Sequence, residues 1–200
     1  GKTTYAMEGS IFIAGAGVQW LRDRMKFFKT APETEKIVKS LKDNNNIYLV
    51  PAFTGLGAPY WDANARGVLS GITRDTSPKE IVRATIEAVA YQTYDLFEAM
   101  KHDGLRPKIV KVDGGMVMNN WFSQFLSDIV NVKVLRPKVQ ETTALGAAFM
   151  AGLQIGVYKS LKDISKNWHL DKKFSPKMKN PLRNKLLKGW SAAIKKTLSN

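Results

Sequence analysis

The residues best suited to bind a ligand form the stretch VDGGMVMNN, residues 112–120, where an acid and two glycines precede two asparagines. The segments on either side predict a strand ending near Val112 and a helix. Ligands of open α/β sheets bind where strands feed helices. There, Gly114 and Gly115 allow close approach to the backbone, and Asn119 is placed to hydrogen-bond a purine or a sugar. A plain turn with a positive-φ glycine and a capping asparagine explains the pattern equally well.

A second glycine pair lies in AGAGVQW, residues 14–20, inside a predicted helix. Each glycine there costs about 1 kcal/mol relative to alanine, so some close contact should offset the loss. Either another helix packs against Gly15 and Gly17, or a flat ligand such as adenine rests on the bare backbone with Gln19 one turn further on. The pattern alone favours helix packing.

A third feature is the helix predicted over residues 143–153, because every residue on one of its faces is small. That face consists of Ala144, Ala147, Ala148, Ala151 and Gly152. Small contact residues permit unusually close approach of a partner element. A hinge between two domains and a tight internal contact explain the face equally well.

The remaining candidates favour structural roles. The loop PAFTGLGAPYWD, residues 51–62, contains Phe53, Tyr60 and Trp61, which either stack on a ligand or anchor the loop to its own domain, and anchoring is favoured. Two acids, Asp113 and Glu87, lie near the glycine segments. For both, the role of a structural hydrogen-bond acceptor is favoured over catalysis.

The order of predicted elements indicates the fold class. TTYAME predicts a short strand, Ser10 a cap for a helix running to about Phe28, and Ser77-Pro78 the start of a helix reaching about Met100. Strands are also predicted in IYLVPAF, GVLSGI, PKIVKV and VKVLRP, and helices in NNWFSQFLSDIV and TALGAAFMAGL. Strands alternating with helices predict an α/β domain with a largely parallel sheet.

Composition limits the size, compartment and membrane association that we expect for the protein. The 200 residues are 44% hydrophobic and suggest one compact domain with a sizeable core. Cysteine is absent, which excludes disulfides and fits a reducing compartment, so we expect a cytoplasmic protein. No apolar run approaches the roughly 18 residues needed to cross a bilayer, so no membrane association is predicted. Because the sequence begins with Gly1, we expect an upstream portion to exist.

The net charge of +14 is concentrated from Lys159 onward, where 12 lysines and arginines face two acids. The excess is nearly all lysine, and part of it is spaced along a predicted helix whose apolar stripe includes Leu186, Trp190 and Ile194. With only one arginine there, a solvated lysine face packed on the domain is favoured, and nucleic acid is not an expected partner. We therefore expect residues 159–200 to be a lysine-rich helical segment packed on one domain that spans residues 1–200.

The run GVLSGITRDTSPKEIVRATIE, residues 67–87, resembles a signature of the carbohydrate kinase family that includes glycerol, xylulose and gluconate kinases. YAMEGSIFIAGAGVQWLRD, VPAFTGLGAPYWDANARG and VDGGMVMNNWFSQFLSDI are similar to the members that phosphorylate glycerol. The resemblance covers residues 5 to about 165. It implies a ribonuclease H-like domain, related to actin and hexokinase, whose N-terminal strands are missing here and whose nucleotide lies in a cleft between two domains.

The resemblance also implies ATP-dependent conversion of glycerol to glycerol 3-phosphate with magnesium, by a protein that is a homo-oligomer when full length. A kinase of another polyol or sugar is the alternative, and a non-catalytic polyanion-binding module that uses the lysine-rich segment is the less favoured one. By position, Gly15, Gln19, Gly114, Gly115 and Asn119 match the nucleotide-binding motifs, and the small-faced helix matches one at the domain hinge. The family's catalytic aspartate and its glycerol-binding residues lie upstream of Gly1. This chain is therefore expected to bind ATP or ADP weakly and to be inactive alone.

Overall fold

The computed structural model describes residues 3–199. In that range the helices are α1 (Gly15–Asp23), α2 (Glu33–Lys39), α3 (Pro78–His102), α4 (Asn120–Val130), α5 (Thr142–Gln154), α6 (Leu161–Ser165) and α7 (Asn180–Thr197). The strands are β1 (Tyr48–Val50), β2 (Val68–Ser70), β3 (Ile109–Lys111), β4 (Lys133–Pro137) and β5 (Leu170–Phe174). A 3₁₀ turn, Gly115–Met118, separates β3 from α4. None of the helices within residues 3–199 has the length and apolar character to cross a membrane.

Helix α3 begins where the sequence predicts and forms the centre of the core. The hydroxyl of Ser77 accepts a hydrogen bond from the backbone N–H of Lys79 at 3.2 Å, and the carboxylate of Glu80 accepts one from the backbone N–H of Ser77 at 2.9 Å. These reciprocal bonds satisfy N–H groups that have no partner inside the helix. Residues 82–92 of α3 are buried without interruption, so other elements pack on every side of the helix there.

The strands form two small sheets. β1 and β2 pair antiparallel, with Leu49 opposite Leu69. β3 and β4 pair parallel, with Val110 opposite Val134, because α4 crosses back between them. β5 then joins the other side of β4 antiparallel.

The α/β class is confirmed, but the sheet is mixed rather than largely parallel. The sequence LDKKF of β5 predicts no strand because it lacks apolar alternation; lysine-rich strands of this kind are typical of sheet edges. Accordingly, residues 159–200 are not only helical, since they contribute β5 as well as α6 and α7.

Two expectations about the N-terminal segment are wrong. The structure describes no strand over residues 3–8, and Ser10 does not cap α1, which begins at Gly15 after Ala14. A β-carbon on Gly9 would lie 3.2 Å from the methyl carbon of Met100, so the segment runs closely over α3. This tertiary contact overrides the local helix-start signal. The helix also ends at Asp23, before Lys26 takes a left-handed conformation with φ of 58°.

The basic helix α7 packs its predicted apolar stripe on the domain. The ring of Trp190 stacks on Tyr91 of α3 with centroids 5.2 Å apart, and both side chains are buried. The indole Nε1 of Trp190 donates to Oδ2 of Asp95 at 2.6 Å, and the hydroxyl of Tyr60 donates to the same oxygen at 2.9 Å. Asp95 therefore joins α3, α7 and the loop that precedes β2.

We expect Asp95→Asn to change how stability depends on pH. Burial raises the pKa of Asp95 to about 6 in the folded protein, above its ordinary value near 4. The folded state therefore holds a proton that the unfolded state has lost, and the free energy of unfolding falls as pH rises from about 4 through 6, on the order of 2 kcal/mol. The asparagine oxygen keeps both hydrogen bonds and does not titrate. The free energy of unfolding of the variant should therefore rise relative to that of the wild type between about pH 4 and pH 6.

Urea unfolding of both proteins at pH 4.5 and pH 7 measures the effect. Asp95→Leu is the matched control, because it leaves the donors of Trp190 and Tyr60 unpaired and should destabilise the fold at both pH values. Parallel pH profiles for wild type and Asp95→Asn would refute a titrating Asp95.

Candidate functional site

A cleft of about 350 Å³ lies between α1, α2 and the turn that leads into α4. We call it the glycine cleft. It is lined by Gly15, Val18, Gln19 and Arg22 of α1, by Ala31, Pro32, Thr34 and Glu35 at the start of α2, by Ile86 of α3, and by Gly115, Met116, Met118 and Asn119. Four of the five residues predicted to bind nucleotide thus share one cavity, although they come from positions about 100 residues apart.

Bare backbone faces open space at the predicted glycines. A β-carbon built on Gly15, Gly114 or Gly115 meets no atom within 4 Å. Gly15 and Gly115 line the glycine cleft directly. Gly114 is adjacent to the lining, and its φ of +83° is a conformation that glycine adopts at no steric cost. Its N–H donates to the carbonyl of Gln140 at 3.1 Å, which fixes the turn after β3.

The two glycines of α1 have different roles. A β-carbon on Gly17 would lie 3.0 Å from Cγ2 of Thr85 on α3, so Gly17 is required for close helix packing. Gly15 has no such neighbour and opens onto the cleft. The packing explanation is therefore confirmed at Gly17, whereas a ligand resting on Gly15 stays a prediction that the open space there allows.

Asn119 caps α4 and also lines the cleft, where its role toward a ligand stays a prediction. Its Oδ1 accepts a hydrogen bond from the backbone N–H of Phe122 at 3.0 Å, which caps α4. Its Nδ2 faces the hydroxyl of Thr34 at 3.4 Å, and the residue lines the cleft. The side chain is thus held by α4 on one side and by α2 on the other.

Two charged side chains border the cleft. Arg22 pairs with Asp23 at 2.6 Å, and this hydrogen bond holds the pKa of the Asp23 carboxyl below its usual range. Partial burial works against ionisation of Glu35, but hydrogen bonds from Lys39 and from the backbone N–H of Asn120 outweigh it and lower the pKa of Glu35. Asp23 and Glu35 are therefore ionised at neutral pH. Arg22 is the one cationic residue in the lining.

The wall formed by α2 was missed at the sequence level. Ala31, Pro32, Thr34 and Glu35 complete the cleft opposite the glycines. The helix has only seven residues, too few for a reliable apolar period. A usable signal was present: Pro32 precedes two acids in the first turn, and Lys36 and Lys39 occupy the last turn, a charge order that favours a helix.

The other candidate segments lie outside the cleft lining. On α5, Ala144, Ala147, Ala148 and Ala151 are exposed, whereas Gly152 is covered by the ring of Tyr158. The hinge role of this face stays a prediction. In the aromatic loop, Phe53 packs on Trp20 with ring centroids 5.0 Å apart and Tyr60 bonds Asp95, so these two anchor the loop. Trp61 is 69% exposed.

The two acids near the glycines act as hydrogen-bond acceptors. Asp113 accepts from the hydroxyl of Thr142 and so ties the turn after β3 to the start of α5. Glu87 is 1% exposed and accepts from Arg83, Tyr91 and Asn44. Burial raises the pKa of Glu87, and the paired guanidinium opposes that shift.

A sheet flanked by helices, with a glycine-lined cleft at the end of a parallel strand, is typical of α/β domains that bind nucleotides. The sequence matches the FGGY family of carbohydrate kinases, C-terminal domain, over residues 1–155. The chain belongs to that family.

Relatives in this family are similar along the whole chain. Glycerol kinase 1 of Pseudomonas aeruginosa is 55% identical over 100% of the chain, and glycerol kinase of Clostridium botulinum is 53% identical over 99%. In both cases the match covers 40% of the relative. The chain thus spans about two fifths of the length of the curated relatives it matches.

Solved structures agree with the fold. The crystal structure of Plasmodium falciparum glycerol kinase with ADP matches with a TM-score of 0.85 and 36% identity, over 96% of this chain and 38% of that one. Ligand-bound xylulose kinase from Lactobacillus acidophilus matches with a TM-score of 0.76 and 27% identity, over 92% of this chain and 38% of that one. The fold is the actin/hexokinase-like ATPase fold, as predicted.

Proposed function

We propose that this chain supplies the adenosine side of the nucleotide site of a glycerol kinase, which transfers the γ-phosphoryl group of ATP to glycerol and releases glycerol 3-phosphate. The observation that carries the proposal is that bare backbone at Gly15 and Gly115, from two distant motifs, faces one cleft of about 350 Å³. The similarity to glycerol kinases, at 36% identity for a solved glycerol kinase against 27% for a solved xylulose kinase, favours glycerol over a sugar as acceptor.

The chemistry of the cleft suits an adenosine. Val18, Ile86 and Met116 provide apolar contact for a flat base, while the amides of Gln19 and Asn119 provide hydrogen bonds that can orient it. The Plasmodium falciparum relative was crystallised with ADP. We assign Gly15, Gln19, Gly114, Gly115 and Asn119 to nucleotide binding on this basis.

The chemical step itself is assigned to the remainder of a full-length kinase. Phosphoryl transfer depends on positioning and on charge stabilisation around the γ-phosphate, together with a base for the acceptor hydroxyl. We propose that those groups lie in the part of the relatives that this chain does not match. Magnesium is proposed to enter with ATP; within residues 3–199 no three acidic or histidine side chains gather into a metal site. A hinge at the exposed alanine face of α5 would close the two parts over the nucleotide and exclude water.

Calorimetric titration of the chain with ADP, paired with an assay for glycerol 3-phosphate, tests the proposal. We expect one ADP per chain, with weak affinity, and no turnover of ATP and glycerol by these 200 residues. A full-length form containing the remaining domain should phosphorylate glycerol. Failure to bind ADP would overturn the nucleotide assignment. Turnover by the chain alone would overturn the proposal that the groups for phosphoryl transfer lie outside it.

Inorganic pyrophosphate is the matched control ligand. The lysines of residues 159–200 attract any polyanion, and such binding weakens steeply as salt concentration rises. Binding of ADP in the glycine cleft should persist at moderate salt and should exceed that of pyrophosphate. Equal and equally salt-sensitive binding of both ligands would point instead to the basic surface.

A further inference from the structure

The orientation of the Asn119 amide is fixed before any ligand binds. Its Oδ1 is directed at the backbone N–H of Phe122, 3.0 Å away, and that bond caps α4. The amide nitrogen is therefore the end directed at Thr34 on the opposite wall of the cleft, 3.4 Å from the hydroxyl oxygen. Reversing the amide would bring two N–H donors together at Phe122 and leave the helix start uncapped.

The side chain that receives this amide is itself held in place. Thr34 is 4% exposed, and its hydroxyl donates to the carbonyl of Ala31 at 2.7 Å. Because that proton is committed, the hydroxyl oxygen faces Asn119 as an acceptor. Thr34 thus accepts from one of the two N–H groups of the amide, which leaves the second N–H of this lining residue for a ligand.

We propose that Thr34 is a positioning residue that keeps the amide nitrogen of Asn119 directed toward the glycine cleft, so that a bound purine is recognised through one of its ring-nitrogen acceptors. This inference rests on the proposed nucleotide site. It adds Thr34 to that site and states that Asn119 donates a hydrogen bond to the purine. The Asn119 oxygen already accepts from the N–H of Phe122, and the exposed side chain of Gln19 provides a second amide oxygen in the lining for the exocyclic amino group of adenine.

The test uses ADP and its 1-deaza, 3-deaza and 7-deaza analogues, each of which lacks one ring-nitrogen acceptor. We expect one analogue to bind the wild-type chain about ten-fold more weakly than ADP. That analogue lacks the ring nitrogen that accepts from Asn119, so the Asn119 N–H has no partner in the cleft. This measurement requires no variant, so it does not depend on the folding of a mutant.

Two variants then separate positioning from structure. Thr34→Val removes the hydroxyl at nearly constant volume and should weaken ADP binding while abolishing the preference for ADP over the discriminated analogue. Thr34→Ser, the matched control, keeps the hydroxyl and should keep the preference. Asn119→Asp keeps the oxygen that caps α4 but has no N–H, so it should lose the preference; its second oxygen would face the Thr34 oxygen, so we expect it to melt below the wild type.

The outcomes are distinguishable. If ADP does not bind the wild type, the proposed function fails and this inference fails with it. If ADP binds but all three analogues bind within about two-fold of it, the nucleotide site stands and the role of Asn119 is overturned. If discrimination is present in the wild type, is lost in Asn119→Asp and survives in Thr34→Val, Asn119 reads the base and only the positioning role of Thr34 is overturned.

Discussion

Replacing Gly15 or Gly115 with leucine is expected to abolish ADP binding while leaving the fold as stable as the wild type. A side chain at either position enters open space, since no atom lies within 4 Å of a β-carbon built there. That space is the glycine cleft, whose volume of about 350 Å³ would be partly filled by the new side chain. We expect a loss of affinity of at least about 100-fold, roughly 3 kcal/mol, measured by calorimetry beside thermal melting.

Two glycines outside the cleft lining provide matched controls. Gly146→Leu also enters open space, but on α5 away from the cleft, and should change neither ADP affinity nor the melting temperature. Gly17→Leu should destabilise the fold, because its β-carbon would lie 3.0 Å from the methyl carbon of Thr85. ADP binding that survives in both Gly15→Leu and Gly115→Leu would show that nucleotide does not occupy this cleft.

Arg83→Met should cause a large loss of stability that depends on pH. Arg83 Nε donates to Glu87 at 2.8 Å, and the side chains are 10% and 1% exposed. Removing the guanidinium leaves a buried carboxylate with donors only from Tyr91 and Asn44. Breaking a buried ion pair in this way costs about 3 to 5 kcal/mol, and we expect that loss at pH 8.

The loss of stability in Arg83→Met should be smaller near pH 5 than at pH 8. Burial already raises the pKa of Glu87, and without Arg83 the pKa rises further, so the folded variant takes up a proton as pH falls and no longer holds a buried charge. The sign follows from linkage: a raised folded pKa means that stability is lost as pH increases above the ordinary glutamate value near 4.3.

The double variant Arg83→Met/Glu87→Leu is the matched control for this ion pair. It removes both charges and should be more stable than Arg83→Met alone at pH 8. Urea unfolding at both pH values measures all three proteins. A pH-independent loss in Arg83→Met, equal to that of the double variant, would contradict a charged Glu87 in the core.

The sequence predicts the elements whose signals are local. Ser77, Pro78 and Glu80 fix the start of α3 through a capping box, and the paired glycines after β3 indicate a turn before α4. The joining of Gly15 and Gly115 in one cleft was expected from resemblance, since no local rule relates residues so far apart.

What the sequence did not show depends on tertiary contacts. Helix α2 is short and charged, and β5 is an edge strand of mostly exposed residues, so neither has a clear apolar period. No helix starts at Ser10, although its residue type suits a cap, because the segment packs over α3 and α1 begins only at Gly15. Thr34, the residue we assign to orient Asn119, lies on α2 and was missed with it.

The most direct test of the central claim is a two-dimensional amide NMR titration of the chain with ADP, with assigned glycine resonances. We predict that the amides of Gly15, Gly114 and Gly115 shift together along one binding curve. The amides of Gly104 and Gly146, which lie outside the cleft lining, should stay in place. Shifts confined to residues 159–200, or no shift at the three cleft glycines at saturating ADP, would contradict nucleotide binding in the glycine cleft.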